Sequence, residues 1–109
     1  MGAKAPKHLS KEGKRLWVKL LNEYDIEDEA GLLILQTAME AGDRMREAAE
    51  IIKAEGMQVV DRFGQKKAHP LTTVERDSRV AMLAALKALN LDLEPLQERP
   101  GRPTGGLGR

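Results

Sequence analysis

The residues predict a mainly α fold: three helices, the second long, with a short β-hairpin or extended loop between the second and third helices, and disordered termini. Three observations carry this. Apolar residues recur at helical spacing in three separate stretches, about 10–24, 28–55 and 73–90. Between the last two, Val59-Val60 and Lys66 to His69 flank the turn residues Arg62-Phe63-Gly64-Gln65. Residues 97–109 hold Pro100, Gly101, Pro103, Gly105, Gly106 and Gly108, and they bury too little apolar area to order themselves.

The first nine residues lack periodicity and read as a flexible basic arm. Ser10 is a good N-cap, and Glu12 lies in the first turn, where the helix dipole favours a carboxylate. Leu16, Trp17, Leu20, Leu21 and Tyr24 then form an apolar stripe, opposite Lys11, Lys14, Arg15 and Lys19. Asp25 or Asp28 caps the second helix, and Gly56 ends it. About 28 residues in helix span roughly 40 Å, long for so small a protein.

Along that helix Ile34, Ala38, Ala41, Met45, Ala48 and Ile52 alternate spacings of four and three, a heptad-type seam whose alanines permit close approach. Its start, Ala30 to Ala38, is apolar nearly all round and needs cover on several sides. The seam predicts self-association into a homo-oligomer, with an ordinary bent core helix as the alternative. Thr72 and Glu75 match a capping box opening the third helix at about Thr73. That helix runs to Asn90, and Leu91 to Pro95 ends it. The units are thus the arm 1–9, the helical domain 10–96 and the Arg/Pro/Gly tail 97–109.

Composition bounds the function. The 109 residues allow one domain, 41% of them hydrophobic and only 3% aromatic, so the core is aliphatic. No cysteine is present, which removes disulfides and Cys-ligated metals and suits a cytoplasmic location. No apolar run approaches a membrane span, and the start lacks the apolar stretch of a secretory signal. Pro6 occupies the position where myristoylation needs Ser or Thr.

The net charge is only +1, but it is segregated. Residues 1–20 hold six basic side chains against Glu12 alone. Residues 22–31 hold Glu23, Asp25, Glu27, Asp28 and Glu29. The stretch from Arg99 to Arg109 holds Arg99, Arg102 and Arg109 without an acid. Basic ends suit phosphates, and an acidic belt suits a basic neighbour.

No catalytic or metal-binding pattern is present, and the chain reads as a non-enzyme without a cofactor. His8 and His69 have no metal-ligand spacing, and His69 beside Pro70 reads as a turn hydrogen-bonder. Gly13-Lys14 has no glycine five residues upstream and no Ser or Thr after the lysine, so it is not a phosphate-binding loop. No Ser nucleophile lies in a recognisable elbow.

Two strings exceed what a small helical domain needs: PKHLSKEGKRLW (Pro6 to Trp17) and GMQVVDRFGQKKAHP (Gly56 to Pro70). The chain resembles the small terminase subunit of tailed bacteriophages, in its short helical branch. The shared features are Pro6-Lys7-His8-Leu9-Ser10 with Leu16-Trp17, then Gly56, Val59-Val60, Gly64 and Lys67-Ala68-His69-Pro70. A leucine-rich end from Leu89 to Pro95 and Arg99-Pro100 complete the match, which covers most of residues 6–103. The tail departs from the serine-rich endings of that branch.

The resemblance implies a ring-forming homo-oligomer in the host bacterial cytoplasm. Such a ring recognises viral double-stranded DNA at the start of genome packaging, and recruits and regulates the large terminase subunit, which carries the motor and nuclease. On that reading Lys4, Lys7, Lys11, Lys14 and Arg15 are the leading DNA contacts, with Arg62, Lys66 and Lys67 second, and the seam residues are the interface between copies. Arg99 and Arg102 are then candidates for docking the large subunit, or for a Gly-Arg-Pro hook in the minor groove. Two other readings compete. A helix-turn-helix regulator needs a recognition helix about a third as long as the second helix here. A non-DNA helical adaptor or scaffold in phage assembly would keep the seam but have no use for the basic clusters.

Overall fold

In the computed structural model, which describes residues 3–90, the chain forms α1 (Lys11–Tyr24), α2 (Glu29–Glu55), a two-stranded antiparallel hairpin of β1 (Gln58–Val60) and β2 (Lys66–Ala68), and α3 (Leu71–Ala88). Helices 1 and 2 begin where short-range chemistry places them. The Ser10 hydroxyl accepts the Gly13 N–H at 3.0 Å, and the Asp28 carboxylate accepts the Gly31 N–H at 3.0 Å. Asp25 closes α1 in the left-handed region (φ 52°). Gly56 closes α2 at φ 95°, a conformation that favours glycine.

The three helices form two antiparallel pairs that share α2. The amino end of α1 meets Asp43 in the middle of α2, and the connection 25–28 returns the chain to the start of α2. Leu71 and Val74 of α3 lie beside Ala48 and Ile51 near the end of α2, while Ala88 and Leu89 lie beside Ala30 and Ile34 at its start. The core joins Leu9, Trp17, Leu21, Leu35, Ala38, Met39 and Ala85. It is aliphatic apart from Trp17, whose indole N–H donates to the Ala3 carbonyl at 3.0 Å.

The seam of α2 is therefore used inside one chain. Ala38, Ala41, Ala48 and Ile52 are buried, and Ile34 and Met45 are half-buried. The small residues do allow close approach, but to α3: a β-carbon on Gly42 would stand 3.2 Å from Met82 Sδ. Four of the six seam residues, Ala38, Ala41, Ala48 and Ile52, thus pack within one chain, while Ile34 and Met45 keep part of their surface open. The all-round apolar start of α2 is covered on two sides by α1 and α3, and of its large apolar side chains only Leu33 is left strongly exposed.

Two expectations are corrected. Residues 3–9 are not a free arm: Leu9 is buried in the core, Ala5 packs against it, and Leu9 N–H donates to Pro6 C=O at 3.3 Å. And α3 starts two residues early, without a capping box. Thr72 lies inside the first turn with its hydroxyl donating to His69 C=O, and Glu75 instead accepts from Arg79. Pro70 already has helical angles (φ −59°, ψ −26°), and a proline suits the first helical position because no N–H is wanted there. The His69 imidazole does the capping, its Nδ1 accepting the Leu71 N–H at 3.1 Å. The ends of the sequence reading, Leu91 to Pro95 and the tail with Arg99 and Arg102, lie outside the described residues.

Candidate nucleic-acid interface

Helix 1 turns a charge pattern in the sequence into a charge separation in space. Lys7, Lys11 and Lys14 stand at or near its amino end, and Glu23, Asp25, Glu27, Asp28 and Glu29 at or beyond its carboxyl end. Even the nearest members, Lys14 and Glu23, are nine helical residues apart, about 14 Å along the axis. Asp28 is used as a cap, and the other four acids are exposed with no ion pair among the described residues.

Lys4, Lys7, Lys11 and Lys14 are all exposed and make no ion pair among the described residues. Arg15 differs. Its Nη2 and Nε bond the two carboxylate oxygens of Glu12 at 2.6 and 3.1 Å. That contact holds Glu12 below the ordinary carboxylate range and Arg15 above its own. Arg15 is therefore a neutralised cation and a weaker phosphate ligand than the four lysines.

The lysine end is anchored by a partly buried polar node. The Asp43 carboxylate accepts the Ser10 N–H at 2.7 Å and the Ser10 hydroxyl at 2.5 Å, and Arg46 donates to it at 2.8 Å. Burial pushes the Asp43 carboxyl up, but the bonds from Ser10 and Arg46 outweigh it and leave the group below the ordinary aspartate range. Nearby, His8 contacts Glu40 at 2.7 Å, and Gln36 and His8 together lower the Glu40 carboxyl. Ser10 is thus a clamped helix cap, its hydroxyl donating to Asp43 and accepting from Gly13. No group of three His, Cys, Asp or Glu among the described residues is placed to hold a metal ion.

The second basic group is on the hairpin. Register pairs Gln58 with Ala68, Val59 with Lys67 and Val60 with Lys66. Asp61 builds the turn: its Oδ1 accepts the N–H of Phe63 at 2.8 Å and of Gln65 at 2.9 Å. Gly64 completes it at φ 81°. Arg62, Lys66 and Lys67 are exposed; the Arg62 guanidinium lies 5.2 Å from the Phe63 ring centroid, and Lys67 Nζ is 3.8 Å from Asp61 Oδ2. His69 locks the base of the hairpin to α2. Since Nδ1 accepts from Leu71, Nε2 carries the proton and donates to Glu55 at 2.7 Å.

The two basic groups are not one patch. About a dozen residues of α2, roughly 20 Å, separate the level of Asp43 from Gly56. The groove beside Lys11 and Asp43 is lined by the acidic Glu47 and Glu50. Both groups nonetheless lie away from the acidic belt. Sequence reasoning missed Phe63, which is 75% exposed at the hairpin tip. The signal was there: the sole phenylalanine of the chain sits in a polar turn, where it has no core to enter. No family model, curated protein or solved structure matches the chain, and no helix among the described residues is long and apolar enough to cross a membrane.

Proposed function

We propose that the chain is a DNA-recognition subunit of the small terminase type. It binds viral double-stranded DNA as a homo-oligomeric ring and hands it to the large terminase subunit, which it recruits and regulates. The observation that carries the reading is the set of four exposed lysines, Lys4, Lys7, Lys11 and Lys14, without acid partners among the described residues, three of them at or near the end of α1 opposite the acidic belt. A surface of this kind attracts a polyanion through phosphate contacts and counterion release. Repetition around a ring multiplies weak contacts by raising the effective concentration of each.

Because the α2 seam is used internally, a second copy must pack on apolar surface that one chain leaves open. Val80 and Leu83 on the outer side of α3, and Leu33 on α2, are 61%, 58% and 63% exposed. These same side chains favour the second reading, a helical adaptor that binds proteins and not DNA. Titrating a labelled duplex with the chain at low and at physiological salt, with native mass measured in parallel, separates the two. The terminase reading expects an oligomer with salt-sensitive duplex binding. An adaptor binds no duplex at either salt.

A further inference from the structure

Phe63 is a large aromatic side chain held in the open. It is 75% exposed, and Met57 and Val60 on the same hairpin are 72% and 64% exposed, so the hairpin contributes nothing to the core through them. The exposure is not slackness. The Asp61 carboxylate ties down the backbone on both sides of Phe63 by accepting its N–H and that of Gln65, and a cross-turn bond runs from Asp61 N–H to Gln65 C=O at 2.9 Å. His69 and the bond from its N–H to Met57 C=O at 2.8 Å fix the base. The turn is thus set before any ligand arrives, which lowers the ordering cost of binding.

The surroundings of the ring specify the ligand. Arg62 stands 5.2 Å from its centroid, and Lys66 and Lys67 follow on β2. The single acid of the hairpin, Asp61, is turned inward to the backbone and Lys67. An exposed aromatic side chain with a guanidinium beside it and two lysines on the adjoining strand suits a ligand that offers flat apolar faces and closely spaced negative charge together. A nucleic acid does so, through its bases and its phosphates.

We propose that the hairpin tip is a base-stacking contact, in which Phe63 stacks on a nucleobase at an opened step of the duplex while Arg62, Lys66 and Lys67 meet the adjoining phosphates. The inference rests on the DNA-binding reading above and adds to it a contact that is not electrostatic. Intact duplex hides its base faces, so a stacking tip gains where a step is already opened.

The test compares a duplex of about 30 base pairs with the same duplex carrying a two-nucleotide bulge, titrated with the full-length chain at several salt concentrations. Wild type is expected to bind the bulged duplex about tenfold more tightly, the worth of one stacked base. Phe63→Ala loses that preference while keeping the wild-type salt slope and mass. Phe63→Trp keeps the preference, and its exposed indole is quenched by the bulged duplex. Equal wild-type affinity for the two duplexes, or a preference retained by Phe63→Ala, overturns the proposal. So does a changed oligomeric mass for Phe63→Ala, which would make the tip a contact between copies. It is likewise overturned if the Phe63→Trp emission responds to phosphatidylserine vesicles and not to DNA. Failure of wild type to bind either duplex would instead remove the DNA-binding reading itself.

Discussion

Gly13 packs directly against the carboxylate of Asp43: a β-carbon at position 13 would stand 2.7 Å from Oδ1. The same carboxylate holds Ser10 through two hydrogen bonds, so the glycine and the acid together fix where α1 meets α2. Ordinary helix propensity favours alanine over glycine by about 1 kcal/mol. Here the sign reverses, because the added methyl pushes the carboxylate off Ser10. Gly13→Ala is expected to lose about 1–3 kcal/mol in urea unfolding; an increase in stability would show that the contact relaxes freely.

The same node sets an acid limit. The folded Asp43 carboxyl lies below its ordinary value of 3.8, so in a falling pH titration the unfolded chain takes up the proton first. The contribution is complete above the ordinary aspartate range and is lost as pH falls through 3.8 toward the lower folded value. Glu40, also lowered, acts in the same direction. Urea midpoints measured from pH 6 down to pH 2.5 should show the wild type falling more steeply than Asp43→Asn, which starts lower.

His69 is 5% exposed and serves three segments, capping α3, bonding Glu55 and closing the hairpin base. Glu55 is largely exposed, so most of the loss on substitution comes from the cap and the filled volume. His69→Ala is expected to lose about 1–3 kcal/mol and to speed hydrogen exchange at the Leu71 amide. His69→Asn, which keeps an acceptor near Leu71, should recover part of it.

Two substitutions distinguish the inner seam from the outer surface. Ala41 is fully buried, so Ala41→Glu places an unpaired charge in the core and should lose about 3–5 kcal/mol of fold stability. Circular dichroism reads that loss directly. Leu83→Lys alters an exposed position and should leave helicity intact while lowering the native mass. A folded Ala41→Glu monomer would return the seam to the interface between copies.

How much of this was legible in the sequence follows from range. Ser10, Asp28 and Gly56 end helices through bonds to residues at most four away, and each was readable from local residue type. The turn around Gly64 was readable for the same reason. At α3 two local signals competed, Thr72 with Glu75 against His69-Pro70, and the locked φ of the proline prevailed. The seam shows the limit of periodicity: spacing says that a face of α2 is buried but not which helix buries it. Leu9, Ala3 and Trp17 meet only through the tertiary fold, so the start of the chain looked like a free arm. The candidate site was half legible. The lysines were evident from charge, whereas the pairing of Arg15 with Glu12 and the presentation of Phe63 needed the geometry.

The most direct test of the central claim is the salt dependence of duplex binding by wild type and by a Lys7→Ala, Lys11→Ala, Lys14→Ala variant. Each phosphate contact contributes about 0.9 to the slope of log affinity against log salt. The account predicts a salt-sensitive wild type and a slope reduced by roughly 2.7 per subunit engaged in the variant, with helicity and mass unchanged. Binding that does not respond to salt, or a variant with the wild-type slope, would contradict it.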